Sequence, residues 1–127
     1  MNYVKINFMN NKQTGKLGEE IAKEYLKNNG FKILETNFRF SKISEIDIIA
    51  QKQNILHFIE VKTRTSNICG NPLEAITKSK LNSIFSCAKF YLSKTNYNYK
   101  KVQIDALGII INNQKPEITF IEDISMN

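Results

Sequence analysis

The sequence predicts a single α/β domain, a mixed β-sheet flanked by helices in the order α-β-β-β-α-β-β. Three observations carry this. Apolar residues recur at helical spacing in two stretches, about Thr14 to Asn29 and Thr77 to Ser93. Five short runs rich in branched and aromatic residues fill the rest. Three of these runs lie between the helices, so a meander is followed by a crossover helix that returns a fourth strand to the sheet.

In the first helix Leu17, Ile21, Tyr25 and Leu26 form the stripe, Thr14 is placed to cap the start, and Gly30 ends it. At about 100° per residue Glu19 falls beside Ala22 and Leu26 at the edge of that stripe, and Glu20 points to water. Gly15 and Gly18 weaken the first turn and permit close approach of a backbone or ligand, or mark a loose helix start. Phe31 to Phe40 reads as a strand and Ser41 to Ser44 as a turn.

The centre of the chain is Glu45 to Ala50 and Ile55 to Lys62, two strands joined by a polar break. Leu56 and Phe58 lie on one face of the second, and Ile55, Ile59 and Val61 on the other, as expected of a strand covered on both sides. Asp47, Glu60 and Lys62 nevertheless sit within or at the end of these runs, and ionised groups beside a core are costly unless paired or metal-bound. Glu60 and Lys62, two apart, share a face, and Asp47 reaches the same place if the strands pair. Two carboxylates and the Val61 carbonyl suit a hard cation such as magnesium, with Lys62 beside an attacking water or a phosphate. On spacing alone, an ion pair between Glu60 and Lys62 at a solvated strand end accounts for the pattern as well.

Thr63 to Pro72 is a polar loop that either closes over a substrate or simply connects. In the second helix Leu81, Ile84, Phe85, Ala88 and Leu92 are the expected buried face. Lys78 and Lys80 in its first turn oppose the helix dipole, which suits a phosphate contact or a solvated charge. Tyr91, Tyr97 and Tyr99 offer rings for base stacking or for packing. Val102 to Ile111, with Asp105 inside it, and Ile118 to Ile121 are the last strands.

Composition bounds the partners. The chain has 127 residues, enough for one real core, and a net charge of +6 that favours an acidic partner such as nucleic acid. No run is apolar enough to span a membrane and residues 1–12 lack a signal-peptide core, so a cytoplasmic location is expected. Residues 1–12, with Val4, Ile6 and Phe8 in alternation, read as an arm, and 13–127 as the domain. Cys69 and Cys87 read as free thiols, and His57 as a packed or surface residue whose side chain lies opposite to Glu60.

Four motifs are specific enough to compare with known proteins. They are Gly15-Lys16-Leu17-Gly18-Glu19-Glu20-Ile21-Ala22, Asn37-Phe38-Arg39 leading to Glu45-Ile46-Asp47-Ile48-Ile49-Ala50, Phe58-Ile59-Glu60-Val61-Lys62-Thr63-Arg64, and Gly70-Asn71-Pro72-Leu73-Glu74-Ala75-Ile76 with Lys80 following. In this order and spacing the chain resembles the YraN-like family of small bacterial proteins, relatives of the Holliday-junction-resolvase branch of the PD-(D/E)xK nucleases. The resemblance implies a restriction-endonuclease-like fold and a metal-dependent nuclease acting on DNA, branched or damaged, or a non-catalytic nucleic-acid-binding module on that fold. It implies that Glu19, Asp47, Glu60 and Lys62 are the catalytic set. Asp47, Glu60, Glu19 and the Val61 carbonyl would hold Mg2+ or Mn2+. Arg39, Arg64, Lys78 and Lys80 are the candidate nucleic-acid contacts. A homodimer is compatible, since junction-cutting relatives meet a two-fold substrate. Two positions depart from the family pattern: Ser44 where Gly is usual before Glu45, and Gln103 where an Arg commonly precedes Asp105.

Overall fold

Asn10 starts the first helix with a reciprocal cap. Its side chain accepts from the Gln13 backbone N–H at 2.8 Å, and the Gln13 side chain accepts from the Asn10 N–H at 3.0 Å. The computed structural model describes residues 9–65 and 70–124. Helix α1 spans Asn11–Asn28, three residues earlier than the sequence suggests. Thr14, a good capping type, is instead buried inside the helix, because the Asn10–Gln13 pair supplies the cap one turn before it. Asn11 and Lys12 therefore belong to the helix and not to an arm; the expected Val4–Phe8 alternation lies outside the described residues. The helix stops where Gly30 takes φ +88°, a conformation glycine adopts freely.

Strands β1 (Lys32–Arg39), β2 (Glu45–Lys52) and β3 (Ile55–Arg64) form an antiparallel meander. A single 3-10 turn, Pro72–Ala75, and helix α2 (Lys78–Lys94) then carry the chain across. Strand β4 (Lys101–Ile110) pairs parallel with β3, and β5 (Glu117–Ile121) closes the far edge antiparallel to β4. The sheet has the order β1-β2-β3-β4-β5, mixed and flanked by two helices, which is the expected architecture.

β3 is the middle strand and both its faces are covered. Ile59 and Val61 join Ala22 and Leu26 of α1 in one core cluster. Leu56 and Phe58 join Ile84, Cys87, Ala88 and Tyr91 of α2 in the other. Here one expectation is corrected: Phe85 is 49% exposed, while Cys87 and Tyr91 are buried. Tyr91 lies edge-on to Phe38 and Phe58, so its ring completes the core and is not offered to a base. Tyr97 and Tyr99 stack on one another, and Tyr99 bonds Gln51. No helix among the described residues is long and apolar enough to cross a membrane.

One of the two glycines of α1 sets how the layers approach. A Cβ on Gly18 would run into the Thr63 side chain, so the backbone of α1 rests on that side chain of β3. A Cβ on Gly15 would meet nothing within 4 Å. Gly18→Ala should therefore destabilise the protein by about 1–3 kcal/mol through overpacking. Gly15→Ala should leave stability unchanged or raise it by up to about 1 kcal/mol, the ordinary helix-propensity gain. Thermal unfolding of the two variants separates close packing from a loose helix start; equal shifts would remove the distinction.

Candidate metal and nucleic-acid site

The β2–β3 ladder runs from Lys52↔Ile55 to Ile48↔Ile59 and stops. Beyond it the carboxylate of Asp47 takes the place of a backbone partner: its Oδ2 accepts from the Val61 N–H at 2.8 Å. Side-chain alternation also breaks there, since Ile46 packs in the α2-side core and Ile48 in the α1-side core. The N–H and C=O of one strand residue point to the same edge, so the Val61 carbonyl faces the same gap.

That gap opens into a cavity of about 570 Å³. Glu19, Asp47, Glu60, Val61, Lys62 and Arg64 all line it. Glu19 arrives from α1, Asp47 from β2, and the others from the end of β3. Glu20 turns away and pairs with Lys23 at 2.7 Å in solvent, the orientation expected from the helical angle. Gly15 also lines the cavity, where its missing side chain leaves room.

Glu60 is the unusual group. It is 4% exposed, and its Oε2 has no hydrogen-bond partner among the described residues. Lys80 Nζ lies 3.4 Å from that oxygen, within ion-pair range but not aligned as a hydrogen bond. Burial pushes the Glu60 carboxyl up to about 8, the neighbouring charge of Asp47 adds to the rise, and Lys80 and Lys62 oppose it. Burial also raises Glu19, helped by the charges of Asp47 and Glu45. The Glu60–Lys62 ion pair that spacing allowed is not formed: Lys80 takes that role.

Asp105, on the next strand, shows what a buried carboxylate looks like when it is satisfied. It is fully buried and accepts from Gln103 at 2.8 Å and from the Asp123 N–H at 2.9 Å, with His57 Nδ1 as a third partner. His57 packs edge-on against Phe31. None of His57, Gln103 and Asp105 lines the cavity, so the departure of Gln103 from the family pattern falls outside the site.

Among the described residues no three His, Cys, Asp or Glu side chains come close enough to cage a metal. Asp47 and Glu60 form the pair, and Glu19 stands across the cavity, accepting from Asn37 Nδ2 at 3.3 Å. Magnesium is commonly held by one or two carboxylates with waters in the remaining positions, so this set fits Mg2+ or Mn2+. The unpartnered Glu60 oxygen is the atom such a cation would satisfy.

The other basic residues divide. Arg64 lines the cavity with a buried Nε that has no partner among the described residues. Lys80 is held at Glu60. Arg39 pairs with Glu45 at 3.3 Å, outside the cavity lining, and Lys78 is exposed in the first turn of α2. Part of the polar loop, residues 66–69, lies outside the described residues, as does Cys69. Sequence reasoning missed the role of Asn37, which holds Glu19 and has φ +53°. Asn tolerates that conformation better than most residues, the one signal an Asn inside a strand run offers.

The raised Glu60 pKa has a consequence for stability. The folded protein keeps a proton that the unfolded chain releases between the ordinary value of 4.5 and about 8, so stability is highest below that window and falls as pH rises through it. Glu60→Gln should remove that fall and leave the variant more stable than the parent at the upper end. Denaturant melts across this pH range check it; a parallel decline in both proteins would contradict a buried, proton-holding Glu60.

A family model, the uncharacterised protein family UPF0102, matches residues 18–109. A UPF0102 protein of Clostridium botulinum (strain Loch Maree / Type A3) is 48% identical over 103 residues, covering 80% of this chain and 83% of that protein. One from Dictyoglomus turgidum is 42% identical over 104 residues, covering 82% and 87%. One from Clostridium perfringens is 44% identical over 115 residues, covering 89% and 93%. With its motifs, its fold and this breadth of similarity, the chain belongs to the UPF0102, or YraN-like, family.

Proposed function

We propose that this protein is a metal-dependent nuclease that hydrolyses phosphodiester bonds in DNA. The observation that carries the reading is the parting of β2 and β3 at Asp47. It brings two carboxylates, a strand carbonyl and a lysine to one cavity, where a buried Glu60 oxygen has no hydrogen-bond partner among the described residues. When bound, Mg2+ or Mn2+ polarises the phosphate and makes a water more acidic. Asp47 and Glu60 would hold it, with the Val61 carbonyl as a further oxygen. Lys62, on the same face as Glu60, orients the attacking water and takes or yields its proton. Glu19 acts across the cavity through water. Arg64 at the cavity wall meets a phosphate oxygen, and Lys78 and Arg39 lie along the outer path of the strand.

One observation favours a second reading, a nucleic-acid-binding module without catalysis. No three-donor cage is assembled among the described residues, and Lys80 already partners Glu60. Supercoiled, linear and four-way-junction DNA with and without Mn2+ decide between the two. The nuclease reading expects Mn2+-dependent cleavage of at least one. Binding to all with cleavage of none gives the module.

Two further outcomes follow from the geometry. Glu19→Gln should slow cleavage by about 10–100-fold, as for a group acting through the metal's outer shell, while Glu20→Gln leaves it unchanged. Equal losses would refute the placement of Glu19. Mn2+ at ten times its dissociation constant should stabilise the parent by about 1.4 kcal/mol. Asp47→Asn and Glu60→Gln should each abolish most of that gain in a thermal scan against a sodium control. A parent protein whose melting point ignores Mn2+ would count against a metal site.

A further inference from the structure

The turn between β1 and β2 carries apolar side chains where polar ones are usual. Phe40 is 48% exposed and Ile43 is 85% exposed. A single exposed apolar residue is ordinary, but two at one turn, continued by a neighbouring ring, form a surface. The Phe90 ring lies 4.5 Å from that of Phe40, and Phe38 stands behind it at 6.1 Å, itself edge-on to the buried Tyr91. A row of rings thus runs from the α2-side core to the tip.

The tip is held in this pose. The Phe40 N–H donates to the Ser44 carbonyl at 3.0 Å, closing the turn. The Ser83 hydroxyl of α2 donates to the Ile43 carbonyl at 3.0 Å and lies 3.1 Å from the Ser44 hydroxyl. The Ile43 N–H donates to Ser41 at 3.3 Å. The backbone is fastened on both sides of Ile43 while its side chain stays in water. Ser44, a departure from the family's usual Gly, supplies the contact to α2.

Charge surrounds the rings. Lys42 is in the turn, Arg39 at its base, and Lys94 Nζ sits 5.3 Å over Phe90. The neighbouring carboxylate of Glu45 is paired with Arg39. From Ile43 the chain enters β2 at Glu45 and reaches Asp47 four residues on, within about 13 Å. An exposed ring backed by a second, with an apolar neighbour and cations around it, suits a nucleic-acid strand whose bases are free to stack, the backbone phosphates meeting the lysines. A duplex would first have to unstack, at a cost of a few kcal/mol per step. A second copy of this chain is disfavoured, because a two-fold contact would set the same cations against each other.

We infer that the β1–β2 tip is a stacking wedge for an unpaired base, so that the site takes DNA with single-stranded character beside the phosphate it attacks. This rests on the nuclease reading and narrows its substrate.

Fluorescence anisotropy in EDTA tests it, with a labelled single-stranded oligonucleotide and a blunt duplex of the same sequence. Phe40→Ala should weaken single-strand binding by about 5–100-fold, the range for losing one stacking ring. Phe40→Tyr should retain it. Ile43→Ser, whose side chain is in water and cannot disturb the core, should weaken the single strand and spare the duplex. Losses of equal size on both DNAs, or none in the Ile43 variant, overturn the wedge. So does a dimer that the variants dissolve while DNA affinity stays constant. Continued Mn2+-dependent cleavage in those cases leaves the nuclease reading standing. A parent protein that neither binds nor cleaves any DNA defeats both.

Discussion

The structure depends on one hydrogen bond between a side chain and a backbone: Asp47 Oδ2 to the Val61 N–H. Two strands that pair along their whole length leave no room for anything between them. Replacing the next rung of the ladder by a carboxylate keeps the β3 amide satisfied while letting β2 depart. The departure makes the cavity, and the group that causes it remains as one wall. Asp47 thus holds β3 through one oxygen while its carboxylate lines the cavity. The same geometry keeps the Val61 carbonyl at the open edge, where a regular sheet would have consumed it.

The helices are placed to complete that opening. Gly18 lets α1 settle on Thr63 of β3, one residue past Lys62, and Glu19 follows immediately on the inner side. From the other face, Lys80 in the first turn of α2 reaches Glu60. The 3-10 turn before α2 packs Leu73 against Gly108, so the segment after the cavity is pinned to β4. Together these contacts hold Glu19 and Glu60 at one cavity, with Lys80 fastened behind Glu60. A rigid surround of this kind is what positioning chemistry requires.

Much of this was legible in the sequence, and the misses have physical causes. Element order followed from periodicity, and the inward direction of Glu19 from a helical angle. The start of α1 was misjudged because Thr14 and Asn10 are both good caps, and only the reciprocal partner at Gln13 distinguishes them. Phe85 was assigned to the core because apolar type stands in for burial. On α2 the small thiol of Cys87 and the ring of Tyr91 fit the sheet surface better. Partners of the charges were the least legible part. Spacing suggested Lys62 for Glu60, since neighbours on a strand are visible in sequence, whereas Lys80, a helix away, is not. The tip of the β1–β2 connection reads in sequence only as a turn, because the bonds that fasten it to Ser83 are long-range.

The contrast between two buried carboxylates separates architecture from chemistry. Asp105 and Glu60 lie on adjacent strands in the same sheet, and both are removed from water. Asp105 has a histidine, an amide side chain and a backbone N–H, and it ties Asp123 near the end of the chain to β4. Such a group stabilises by being complete. Glu60 has a like-charged neighbour, and its Oε2 faces only a misaligned lysine, with no hydrogen bond among the described residues. A fold selected only for stability would replace it with a hydrophobic residue, as buried ion pairs often can be. Glu60 stands instead beside Asp47 at the cavity with only a misaligned lysine at Oε2, and this incomplete pairing is the observation on which the proposed metal site rests.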